Sequence, residues 1–208
     1  MKTTGMIATA LVVLLGWTCA AQSQDELKQK VHELEKRVAK LEAGLGPVLA
    51  RIAREQAVEE QRLKARARMR QDSEVYSREA LSKIEGLYQI ANKKWGSEAG
   101  KESLKQLVSH YDKANRTGCA LLYLGQMTKG EEQIYCLTEA IDGFSGCYYG
   151  DGVQVGAYAR LMLANRLRKD GKTDEADALL EEIREQFPNA IDHRGRLLSE
   201  ILPPKARK

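Results

Sequence analysis

Aromatic side chains make up only 6% of the 208 residues while 30% are charged, a balance that suits charged helices and disfavours a β-rich core. Histidine is scarcer still. His32, His110 and His193 are the only three, and none falls in an HExxH, CxxC or CxxCH arrangement. A metal or haem site therefore has no ligand set, and no cofactor is expected. No glycine-rich phosphate loop and no serine-nucleophile elbow is present. The stretch "YGDGVQVG" carries glycines, yet no strand precedes it and no Lys-Ser or Lys-Thr follows. Charge of one sign is not in excess either: the net charge of +4 and pI near 8.8 are too mild to imply nucleic acid. Beyond the N-terminus no long apolar run occurs, so nothing further reads as a membrane span.

The opening "MKTTGMIATALVVLLGWTCAAQSQ" has a cationic start at Lys2, an apolar run from Met6 to Trp17 and small residues at Cys19-Ala20-Ala21. That is the pattern of a secretory signal peptide over 1–21, placing the mature chain in the periplasm or outside the cell. The alternatives are an uncleaved anchor and a lipidated Cys19, although Gly16, Trp17 and Thr18 are a poor lipidation context. Three cysteines remain after cleavage, Cys119, Cys136 and Cys147, in a compartment that permits disulfides.

Residues 25–55 carry a heptad seam. Leu27, Leu34, Leu41 and Val48 occupy d, and Val31, Val38, Leu45 and Ile52 occupy a. β-Branched a with leucine d favours a parallel two-stranded coil, with trimers as the alternative. Lys30 and Arg37 then fall at g, facing Glu35 and Glu42 at the following e, so interchain pairs between them would set partner and direction. A homo-oligomer through this coil is expected; the bland alternative is an amphipathic helix folded back on its own domain. Gly44, Gly46 and Pro47 predict a kink or break, since glycine costs about 1 kcal/mol and proline about 3 in a helix interior. Residues 56–76 read as a charged helical connector. Arg62, Lys64, Arg66, Arg68 and Arg70 come at every second position, which spreads charge around a helix and predicts a solvated element. Weak contact with an anionic envelope surface is the alternative.

From 77 to 208 the pattern changes to helix pairs. Leu81, Ile84, Leu87, Tyr88, Ala91 and Trp95 recur at helical spacing, Gly96 and Ser97 mark a turn, and Leu104, Leu107, Val108 and Tyr111 form a second stripe. A second pair follows with its turn at Lys129-Gly130. A third is "VGAYARLMLANRLRKDGKTDEADALLEEIREQFPNA".

These pairs resemble tetratricopeptide repeats (TPRs), in which a large and a small residue share helix A, glycine makes the turn, a small residue opens helix B and proline ends the unit. Leu163 and Ala164, Gly171, Ala176, Leu180, Ile183 and Pro188 take those places in the third pair; Leu124, Gly125 and Ala140 keep part of the pattern in the second. The first pair matches by periodicity. The resemblance implies an all-α fold, an N-terminal coiled-coil helix followed by a TPR-like helical-hairpin solenoid. "IDHRGRLLSEIL" is then one more helix covering the end of the stack. The layout is similar to that of periplasmic coiled-coil plus TPR proteins such as the coordinator associated with the Tol-Pal system.

Stacking in the usual TPR manner would put helix A on the concave face and bring Gln126, Lys129, Tyr158, Leu161, Asn165, Arg168 and Lys169 to a peptide-binding groove, where amide and cations can grip a main chain and a carboxylate. The expected function is that of a non-enzymatic adaptor or scaffold for a protein or peptide partner in the bacterial envelope, or a spacer holding the repeats away from a membrane or wall. The alternative class is a thiol- or disulfide-active factor. The second hairpin brings Cys119 and Cys147 to one end, so a bridge between them is expected, closing a loop of about 28 residues and worth about 3 to 4 kcal/mol. Cys136 is then a half-buried thiol, and three reduced, buried cysteines are the alternative. His110 beside Tyr111 and Asp112 could join Cys119 only if the fold converged them; a surface histidine near a helix end is the plainer reading.

Overall fold

A helix that starts at Thr4 and ends at Val75 (α1) opens the computed structural model, which describes the backbone of residues 4–204 and the side chains of residues 24 and 26–204. The expected signal peptide with Cys19 lies outside the described side chains. The chain divides into two units, Met1–Ile52 and Ala53–Lys208.

In the first unit the seam residues Leu27, Val31, Leu34, Val38, Leu41, Leu45, Val48 and Ile52 are each 41–65% exposed. The expected break at Gly44, Gly46 and Pro47 is not made: the helix includes Pro47. Proline removes one hydrogen bond, the one its N–H would donate to the carbonyl of Ala43. Both glycines stand in open space. No tertiary contact there forces the chain to turn, and a long helix absorbs one missing bond.

Among the described residues of the second unit seven helices follow the end of α1: α2 (Arg78–Lys93), α3 (Glu98–His110), α4 (Asn115–Met127), α5 (Gly130–Asp142), α6 (Val155–Lys169), α7 (Thr173–Gln186) and the short α8 (Leu198–Ile201). Helices α2 and α3, α4 and α5, α6 and α7 pack as adjacent pairs, and the pairs join through α3 on α4 and α5 on α6. The first helices of successive pairs, α2, α4 and α6, also touch. Small residues make this spacing possible. Ala91, Ala120, Ala140, Ala157, Ala164 and Ala176 are fully buried. At Gly125 a β-carbon would lie 2.7 Å from Leu137 Cδ2, so a larger residue there would displace the leucine that seats α5 on α4. Ser77 and Ser97 cap α2 and α3, their hydroxyls accepting from the N–H groups of Ala80 and Gly100 at 3.2 and 3.1 Å.

Residues after Pro188 depart from the expected terminal helix. They form a turn closed by a bridge between Ile191 and Leu197, and among the described residues there only Leu198–Ile201 is helical. Asp192 is the cause: its Oδ1 accepts from the N–H groups of Arg194 and Arg196, both at 2.9 Å, and Gly195 takes φ +73°. The same turn precedes α6. Tyr149 N–H donates to Val153 O and Asp192 N–H to Arg196 O, both 2.9 Å, and Val155 and Leu198 close the two loops onto Cys147 and Ala190. Gly152 (φ +98°) stands where Gly195 stands.

Candidate functional site

The stretch of α1 from Ala53 to Val75 is not solvated on every side. Ala57, Gln61, Ala65 and Asp72 are buried, and spacings of four and seven put them on one face. This stretch meets the segment after α7, the loop before α6 and the loop before α4, in reverse chain order. Arg54 pairs with both oxygens of Glu200 at 2.9 and 3.1 Å, and Glu60 accepts from Asn189 Nδ2 at 3.1 Å. A β-carbon at Gly195 would lie 3.2 Å from Val58, and one at Gly152 would lie 3.0 Å from the backbone nitrogen of Arg62. Further along, Asp72 accepts from the N–H of Asn115 at 2.9 and 3.1 Å and pairs with Arg68. Arg68 also donates to Lys113 O at 2.8 Å.

Asn115 opens α4, and its predecessor Ala114 offers no capping side chain. Asp72 therefore caps α4 from another helix, bringing negative charge to the positive end of the helix dipole. The Asn115 amide continues the network: Nδ2 donates to Tyr148 O at 2.7 Å, and Oδ1 accepts from Tyr148 N–H at 2.8 Å. One asparagine thus ties α1, α4 and the loop before α6 together.

The seven groove residues do not form one group. Gln126, Lys129, Asn165 and Lys169 line a cleft of about 460 Å³ with Thr128, Gln133, Met162 and Arg166. It is bounded by the ends of α4 and α6 and the start of α5. Thr128 and Gln133 are spent on local bonds, to Leu124 O at 2.7 Å and Gly125 O at 2.8 Å, and Arg166 is held by Asp170 at 2.8 Å. No carboxylate is among the described lining residues, so Lys129 and Lys169 set its sign. Leu161 and Arg168 fall about 100° around the helix from that stripe. Leu161 packs against the core, and Arg168 pairs with Asp177 on α7. Tyr158 shares the stripe but lies about 16 Å along α6 from Lys169, where its ring meets His193 edge-on at 5.3 Å.

His193 belongs to a second cleft, of about 500 Å³, that sequence reasoning did not locate. Arg54, Val58 and Arg62 of α1 line it on one side, and Asp151, Asp192 and Arg194 of the two similar loops on the other. His193 Nδ1 is 2.8 Å from Asp151 Oδ2, and the ring stands edge-on to Tyr149 at 5.0 Å. Burial pushes the Asp151 carboxyl up, but the bond and charge of His193 and the N–H of Val153 outweigh it, and the group is held below the ordinary carboxylate range. The signal that could have found this cleft was the repeated turn, with Gly152 and Gly195 in equivalent places.

The expected bridge between Cys119 and Cys147 is not formed: Cys119, Cys136 and Cys147 are free and buried. The register explains it. Cys147 packs over Gly118, where a β-carbon would lie 2.7 Å from Cys147 Cβ, whereas Cys119 points to Tyr148 and donates its S–H to that carbonyl at 3.4 Å. Neighbouring positions on a helix diverge by about 100°. Burial pushes the Cys136 thiol up to about 11 and raises Cys119 and Cys147 as well. His110 does not join them; its Nδ1 is bonded to Ser109 Oγ and Gln106 O at 2.8 and 2.9 Å.

Among the described residues no group of three or more His, Cys, Asp or Glu side chains could hold a metal ion, and no helix is long and apolar enough to cross a membrane. No protein-family model, no curated protein and no solved structure matches the chain.

Proposed function

We propose that the chain is an exported, non-enzymatic adaptor of the bacterial envelope, with a TPR-like solenoid of three helix pairs that holds a protein or peptide partner and a coiled coil that makes it a homo-oligomer. The observation that carries the reading is the carboxylate-free cleft at the ends of α4 and α6, where Lys129, Lys169, Gln126 and Asn165 converge. Cations beside side-chain amides are the chemistry that holds an extended peptide with an acidic group. Adjacent helix pairs whose first helices touch supply the rigid frame such a cleft needs.

A photo-crosslinking residue at Asn165, used in intact cells, is expected to trap one protein. Lys129→Glu combined with Lys169→Glu is expected to cut that yield at least tenfold, on the order of two lost charge-assisted contacts, while leaving the helical circular dichroism unchanged. An unaltered yield in the double variant counts against the cleft as the binding site.

Thiol chemistry is the competing class, and the raised thiols weigh against it, since attack requires thiolate. A colourless disulfide reagent that releases a chromophore on thiol exchange is expected to label Cys119, Cys136 and Cys147 at least a hundredfold more slowly in the native chain at pH 8 than in urea. Rapid labelling of any one of them in the native chain would reopen that class.

A further inference from the structure

The outer half of α1 holds a second kind of complementarity, and the inference from it rests on the self-association proposed above. In the heptad of Val31 and Leu34, position g is filled by Lys30, Arg37 and Gly44, and position e by Glu35, Glu42 and Leu49. Parallel chains in register bring g of one chain against the following e of the other. The facing pairs are then Lys30 with Glu35, Arg37 with Glu42, and Gly44 with Leu49. Antiparallel chains would instead set g against g and e against e, opposing Lys30 and Arg37 to like charge and Glu35 and Glu42 to like charge. Direction is thus decided by sign.

The third pair is one of shape. Gly44 has nothing within 4 Å of where its β-carbon would be, and Arg37, Lys40, Leu41 and Leu45 surround that open spot on the exposed helix surface. Leu49 lies outside the a and d rows, yet it is 61% exposed, as open as the seam leucines. Position e flanks the seam, where a partner helix can cover an apolar side chain, and a glycine at g weakens its helix by about 1 kcal/mol. Set opposite each other across two chains, the leucine fills the space the glycine leaves. Gly46 and Pro47 fall at b and c, on the outer side of the same register, so the proline leaves the seam clear.

We infer that α1 pairs with a second copy of this chain as a parallel, in-register, two-stranded coil, its direction set by Lys30 with Glu35 and Arg37 with Glu42, and its register by Leu49 of one chain seated at Gly44 of the other.

Sedimentation equilibrium and disulfide trapping of the full chain, in a Cys19→Ser background, test this. Wild-type mass should be that of two chains. Leu27→Cys, at a d position, should convert almost completely to a covalent dimer on mild oxidation. An equal mixture of Leu27→Cys and Leu34→Cys chains should give no mixed 27–34 disulfide. A one-chain mass overturns the self-association reading itself. A three-chain mass overturns the two-stranded coil alone. A mixed 27–34 bond overturns the register, and trapping of Leu27→Cys only with Ile52→Cys overturns the direction. Gly44→Leu, which fills the open spot, should raise the dissociation constant about tenfold or more; an unchanged constant overturns the seat at Gly44.

Discussion

Replacing Asp72 with alanine lowers the unfolding free energy of the chain by about 3 kcal/mol, the range in which removal of one partner from a buried, hydrogen-bonded charge pair falls. Two donors lose their acceptor together, the guanidinium of Arg68 and the N–H of Asn115, and the first turn of α4 is left uncapped. Arg68 is partly buried and would keep the carbonyl of Lys113 and its contact with Cys147. Asn115→Ala should cost a comparable amount, since it orphans the N–H of Tyr148 and leaves that residue's carbonyl with only the weak S–H of Cys119. The double variant should cost clearly less than the two singles combined, because the groups share one network. Urea unfolding followed by circular dichroism measures all three, and a loss under about 1 kcal/mol for Asp72→Ala would show that water replaces the cap.

Gly152→Ala should be nearly as damaging, at about 3 kcal/mol, for two separate reasons. A side chain in the left-handed region costs about 1 to 2 kcal/mol, and Gly152 sits at φ +98°. The added β-carbon also meets the backbone of α1, 3.0 Å from Arg62 N and 3.1 Å from Gln61 C, where nothing flexible can yield. Gly171→Ala separates the two effects. Gly171 has φ +78° but open space around it, so only the conformational cost of about 1 to 2 kcal/mol remains. Equal losses at the two positions would mean that α1 does not press on the loop.

The helix pairs were legible because large apolar residues at helical spacing, such as Leu104 and Leu107 or Leu180 and Ile183, alternate with glycine turns, and those side chains are the ones buried. The seating of α1 was not legible for the converse reason. Its buried face is made of Ala57, Gln61, Ala65 and Asp72, two of them small and two polar, so hydrophobic periodicity reads that segment as solvated. The charges that suggested a solvated connector divide between surface pairs, such as Lys64 with Glu60 and Arg66 with Glu59, and the buried pair of Arg68 with Asp72. Only the fold distinguishes them.

The seven residues expected together are split by the fold. Gln126, Lys129, Asn165 and Lys169 line one cleft, whereas the places of Leu161 and Arg168 follow from the phase of α6 about its axis, which depends on how α7 seats against it. The terminal segment misled because "RLLSEIL" has helical spacing, while an aspartate and a glycine upstream fix a turn that leaves room for one helical turn only. The cysteine pairing failed by one position, a displacement that spacing along the chain cannot see.

The reversed order in which α1 touches the loops changes how the molecule comes apart. A stack of hairpins held by nearest neighbours alone can lose its last unit while the rest persists. Here the bond from Arg54 to Glu200 spans 146 positions and that from Asn189 to Glu60 spans 129, so the final hairpin leans on a segment made long before it. Cutting the chain back from its beginning past Val58 would therefore loosen its far end first. Those two contacts cannot close until the last turn has been synthesised.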